Sequence, residues 1–141
     1  MTGLAILLVG YSLCAAMVLA VTHFTQQDYQ QRQFSRAMGL LLMAVLAVLQ
    51  LAHFAWLYGD LAWINSLPYL LALFAVAPLF YLFSLPLLTQ APPVPTPSML
   101  LHSLPMLGGW VIPDAIALPG AFLLGAGYLV WLGRSVFSPP K

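Results

Sequence analysis

The stretch PYLLALFAVAPLFYLFSLPLL, residues 68–88, decides the fold. None of its residues is charged, and Tyr69, Tyr81 and Ser84 are its only polar side chains. It is apolar on every face, so it lacks the 3.6-residue stripe of a surface helix and the alternation of a half-buried strand. Its length matches the roughly 20 apolar residues that carry an α-helix across the hydrocarbon core. Lipid offers backbone polar groups no partner, which makes the helix the default. A barrel strand would alternate polar and apolar residues over about ten positions, and this run does not.

The rest of the chain follows the same pattern. Its charged residues are Asp28, Arg32, Arg36, Asp60, Asp114, Arg134 and Lys141. Between them lie the uncharged runs 1–27, 37–59, 61–113 and 115–133. A soluble domain is about a quarter charged, whereas this chain is 5% charged with a mean hydropathy of +0.97. The expected fold is an all-α, polytopic membrane helix bundle occupying residues 1–137, with spans near 4–21, 37–58, 68–88, 99–112 and 115–131. Residues 90–98, QAPPVPTPS, read as a stiff proline-rich connector without helix, and residues 138–141 as a tail. The run 99–112 is short and carries Pro105, Gly108 and Gly109. If it is re-entrant or interfacial, four spans remain.

Small residues recur on two spans. Gly10, Cys14, Ala16 and Ala20 mark span 1, and Ala121 and Gly125 mark the last, as candidate faces for close helix approach. Pro78 is expected to bend span 3, and Gly59 suits the end of span 2. Met1-Thr2-Gly3 has no basic side chain, so a cleaved signal peptide is not expected.

Basic residues near span ends favour the cytoplasm. Arg32 and Arg36 place the loop after span 1 inside, and Asp60 is then outside. Five spans put Asp114 outside with Arg134 and Lys141 inside, which satisfies the rule throughout. The expected location is the cell inner membrane, multi-pass, with the N-terminus outside and the C-terminus cytoplasmic.

This topology gathers Gln50, His53, Trp56, Tyr58, Asp60, Trp63, Trp110 and Asp114 toward the outer side. Gln50, His53 and Leu57 share a helix face, and polar groups within a span seek partners. They are candidates to line a pocket for a small or lipidic signal. The competing reading is interhelical bonding, with the aromatics marking the lipid–water boundary. His23, Tyr81, His102, Tyr128, Trp131 and Arg134 fall on the inner side as boundary residues. His102 reads as an interhelical hydrogen-bond partner rather than a metal ligand.

No nucleophile–base pair, phosphate loop or zinc motif is present, and no Lys/Arg cluster would hold nucleic acid. A single cysteine permits no intramolecular disulfide. Neither catalysis nor a cofactor is expected. The partners expected are membrane lipid, a small or lipidic signal, and a second copy or another membrane protein.

Residues 49–88 resemble the N-terminal membrane region of bacterial membrane-anchored AraC-type transcriptional regulators. The likeness rests on Ala77, Pro78, Leu79, Phe80, Tyr81, Leu82 and Phe83. It continues in a Leu-Leu-His-x-x-Pro pattern at Leu100, Leu101, His102 and Pro105, and in a closing helix over residues 118–137. It implies a non-catalytic sensor or anchor module. Such regulators continue into a charged linker and a helix-turn-helix domain. No such segment lies within these 141 residues, so DNA binding is not expected of this chain. A stand-alone packing protein and a small transporter or pore subunit are the alternatives.

Overall fold

The computed structural model describes residues 2–22, 33–89 and 96–137. The described residues are all helical or loop, with no strand among them. The long helices are α1 (Thr2–Thr22), α2 (Gln33–Gly59), α3 (Leu67–Thr89) and α6 (Asp114–Phe137). Between α3 and α6 lie α4 (Thr96–Ser103), a 3-10 turn (Leu104–Leu107) and the single turn α5 (Gly108–Val111). A second 3-10 turn, Trp63–Asn65, links α2 to α3. Four helices, α1, α2, α3 and α6, are long and apolar enough to cross a membrane. His23, Asp28, Arg32, residues 90–95 and the tail with Lys141 lie outside the described residues.

The helices are longer than the hydrophobic runs. α2 begins at Gln33, four residues before the expected start, and α6 continues past Arg134. Long polar side chains can reach the interface from a helix end, so charge need not stop a membrane helix. The connector also yields to helix earlier than expected, because Thr96, Pro97 and Ser98 form the first turn of α4. Proline is tolerated there, where its missing N–H would have had no partner. At the end of α2 the left-handed residue is Asp60, with φ of 50°, rather than Gly59. A short polar side chain makes Asp one of the few residues that accept this conformation.

α3 is the core helix. Half of its most apolar window is buried, against 6% for α1, which packs chiefly on α2. Cys14 is accordingly exposed rather than packed, and a Cβ added at Gly10 would meet nothing within 4 Å. Gly10 and Cys14 are thus not packed against another helix among the described residues, while Ala16 and Ala20 are half-buried.

Helix direction follows from residue pairs. Leu49 and Ala52 of α2 pack with Tyr69, Leu70 and Ala72, Leu42 packs with Ala75 and Leu79, and Met38 packs near Tyr81 and Leu82. One number falls as the other rises, so α2 and α3 are antiparallel. Ala117 shares a cluster with Phe74, and Tyr128 meets Tyr81 at 5.5 Å between ring centroids. Here the numbers rise together, so α3 and α6 are parallel.

Parallel neighbours need a return path, and residues 96–111 supply it. His102 lies beside Tyr81, Met106 packs on the cluster of Leu42, Ala75 and Leu79, and Gly109 lies against Leu70 and Leu71. The segment thus runs antiparallel to α3, in three pieces. Pro105 has no N–H for the carbonyl of Leu101, so the helix breaks there into a 3-10 turn. A Cβ on Gly109 would fall 2.9 Å from Leu71 N and 3.0 Å from the Leu70 carbonyl carbon, a closeness only glycine allows. Ile112 is extended, as the residue before Pro113 should be, and this closes α5.

Candidate functional site

The return segment sorts the charges. Arg36, at the start of α2, and Arg134, near the end of α6, share the end of the bundle where α3 finishes. Asp60 and the first residue of α6, Asp114, share the opposite end.

At the basic end, four rings meet. Tyr81 comes from α3, His102 from α4, and Tyr128 and Trp131 from α6. Tyr81 lies 5.0 Å from His102 and 5.0 Å from Trp131, centroid to centroid. His102 lies 5.3 Å from Trp131 and 5.6 Å from Tyr128. Ring contacts at these separations are in the favourable range for aromatic pairs. The His102 Nδ1 and the Tyr128 hydroxyl share a hydrogen bond of 2.9 Å in the buried interior of this node. Tyr81, His102 and Tyr128 are buried and Trp131 forms the exposed rim. His102 is thus an interhelical hydrogen-bond partner, and no group of three or more His, Cys, Asp or Glu side chains among the described residues could hold a metal ion.

The opposite end is built differently. His53 donates from Nδ1 to the carbonyl of Leu49 on its own helix at 2.8 Å, and its ring lies edge-on to Tyr69 at 5.6 Å. Because a carbonyl can only accept, the proton sits on Nδ1 in this arrangement. Gln50 is half-buried, and Trp56, Tyr58, Asp60, Trp63 and Trp110 are exposed. Tyr58 stacks on Phe54 at 5.5 Å, one turn back along α2. The side chain of Asp114 lies outside the described residues. A local groove of about 460 Å³ passes Trp63, Ser66 and Tyr69, and neither Gln50 nor His53 lines it.

The larger concavity was not legible in the sequence. It is an open groove of about 620 Å³ along α3, walled by α2 and α6. Leu73, Val76 and Phe80 form its floor, Leu46 and Leu49 one wall, and Ala121, Gly125 and Leu129 belong to the other. Ala121 also packs against the core, while a Cβ at Gly125 would meet nothing within 4 Å. Of the expected small-residue pair, only Ala121 is used inside the chain.

The residues quoted for the regulator likeness converge in part. Pro78 and Tyr81 are buried on α3, His102 joins Tyr81 in the node, and Pro105 lies in the break, three residues after His102. Comparison with family models, curated proteins and solved structures finds no match to this chain. Nothing beyond those residues ties it to AraC-type regulators. The fold defines a class: a helical bundle with several apolar helices of membrane-spanning length.

Proposed function

We propose that this chain is a non-catalytic, membrane-embedded packing module that associates with another transmembrane segment along the groove between α2 and α6. The observation that carries this reading is the groove itself. α3 is covered by α2, by α6 and by the return segment, and its remaining face, with Phe80 exposed, opens between apolar walls. Helix association in lipid depends on close van der Waals packing, and small residues on such a wall permit it. Membrane lipid is the default occupant of every other exposed apolar face.

The test is cross-linking from the groove. In a Cys14→Ser background, a cysteine at Leu129 should form a specific adduct in native membranes, with a second copy or with one other membrane protein. A cysteine at Leu123, also on α6 but outside the groove, should not. Equal or absent adducts at both positions would remove the packing reading.

The proposal includes orientation. Arg36 and Arg134 at one end support a cytoplasmic placement of that end by the positive-inside rule, with Asp60 and Asp114 outside. The return segment is then a fifth, broken crossing of roughly 24 Å, taking about 1.5 Å per residue over residues 96–111. A sensor module of the regulator type is the second reading. What favours it is the meeting of Tyr81 and His102, both from the quoted likeness, in one node near the end of α6.

A further inference from the structure

The return segment touches the bundle along one narrow stripe. His102, Met106 and Gly109 face inward, at positions i, i+4 and i+7, while Leu100, Leu101, Leu104, Leu107, Trp110 and Val111 are all more than half exposed. Met106 packs on the apolar cluster of Leu42, Ala75 and Leu79, and Gly109 lies against the backbone of Leu70 and Leu71. The bond from His102 to Tyr128 joins the segment to α6, whereas the Ser103 hydroxyl donates within the segment, to the carbonyl of Leu100. The segment is also divided by the 3-10 turn at Leu104–Leu107, and a short 3-10 stretch inside a helix is a common hinge.

What lies beneath the stripe gives the segment something to control. Leu71, Ala75, Pro78 and Leu82 share a face of α3 by their spacing. Leu71 meets Gly109 through its backbone, and Ala75 belongs to the cluster on which Met106 packs. Pro78 has no N–H to offer the carbonyl of Phe74, so α3 lacks one of its internal hydrogen bonds at this depth. The segment thus covers a stretch of α3 where the backbone is not fully self-satisfied.

We infer that residues 96–111 are a hinged strap, latched to the bundle by the His102–Tyr128 hydrogen bond, and that release of the latch uncovers the Pro78 face of α3. The strap opens by bending at the break at Leu104–Leu107, while the α2–α3 core stays closed. Its aromatic surround, Tyr81 and Trp131, shapes the seat of the histidine ring but makes no second hydrogen bond to it among the described residues. The groove opens on another face of α3, at Leu73, Val76 and Phe80, and Tyr128 of the latch also belongs to its lining.

Local opening is read directly by amide hydrogen exchange, measured on the full chain in lipid nanodiscs. His102→Phe keeps an aromatic ring in the seat and deletes the bond. Tyr128→Phe deletes the other half of the same bond. Each should speed exchange in peptides covering residues 99–112 roughly tenfold, with peptides covering residues 69–85 unchanged. The double variant should add nothing to either single change, because both remove one interaction. Unchanged exchange in residues 99–112 would overturn the latch. Faster exchange in both regions together would overturn it too, since the bond would then support the whole bundle rather than the strap. Additive effects in the double variant would show that the two side chains act separately, against the proposal.

Discussion

At the end of the bundle that holds Arg36 and Arg134, Tyr81, His102 and Tyr128 are buried against one another; at the Asp60 end, Trp56, Tyr58, Trp63 and Trp110 stand apart and exposed. Both ends are rich in aromatic and histidine side chains. The difference lies in how many helices converge. Three helices, α3, α4 and α6, each send a ring into the basic-end node. At the acidic end, Trp56 and Tyr58 lie on the last turn of α2, Trp63 on a 3-10 turn, and Trp110 on an exposed position of α5. Aromatic side chains at a membrane boundary anchor a helix wherever they are. They become a packed site only where chain direction brings several helices to one depth.

The comparison can be broken most easily at its buried member. Tyr81→Ala should destabilise the bundle by about 3 kcal/mol, as deletion of a buried aromatic ring does. Equilibrium unfolding in mixed micelles would measure it. Next comes the seat of the return segment. Gly109→Ala forces a Cβ against the α3 backbone and should cost about 1–3 kcal/mol. Gly108→Ala should cost less, because its Cβ would meet only side-chain atoms of Ile112 and Phe74, at 3.3 Å. A reversed order would mean that the segment does not sit on α3 as described. The smallest expected effect belongs to the acidic end. Trp110→Ala should change stability by no more than about 0.5 kcal/mol. A loss there as large as that of Tyr81→Ala would erase the difference between the two ends.

Much of the fold was legible because lipid imposes length and apolarity on each crossing. The helices α1, α2, α3 and α6 follow the runs 4–21, 37–58, 68–88 and 115–131 to within a few residues, except where α2 and α6 extend into Gln33–Arg36 and past Arg134. Pro105, Gly108 and Gly109 announced a broken segment, but not what the break serves. Gly109 needs its missing Cβ because of the α3 backbone, a neighbour nearly forty residues away in sequence. At the outer end, one candidate has a partner close at hand. His53 satisfies itself on the carbonyl of Leu49, one turn back, and needs no partner across helices for that nitrogen. The groove was invisible because it depends on the gap between α2 and α6, and no run of sequence encodes a gap.

The parallel course of α3 and α6, with the return segment between them, is what places the basic residues at one end and the acidic residues at the other. Cysteine accessibility tests it most directly. In a Cys14→Ser background, single cysteines at Ala62, Pro113 and Phe137 leave every charged residue in place, and all three sites are exposed. With an impermeant thiol reagent applied to one face of sealed membranes, Ala62→Cys and Pro113→Cys should react together, and Phe137→Cys should react only from the other face. Reaction of Phe137→Cys from the same face as Ala62→Cys would contradict the parallel arrangement.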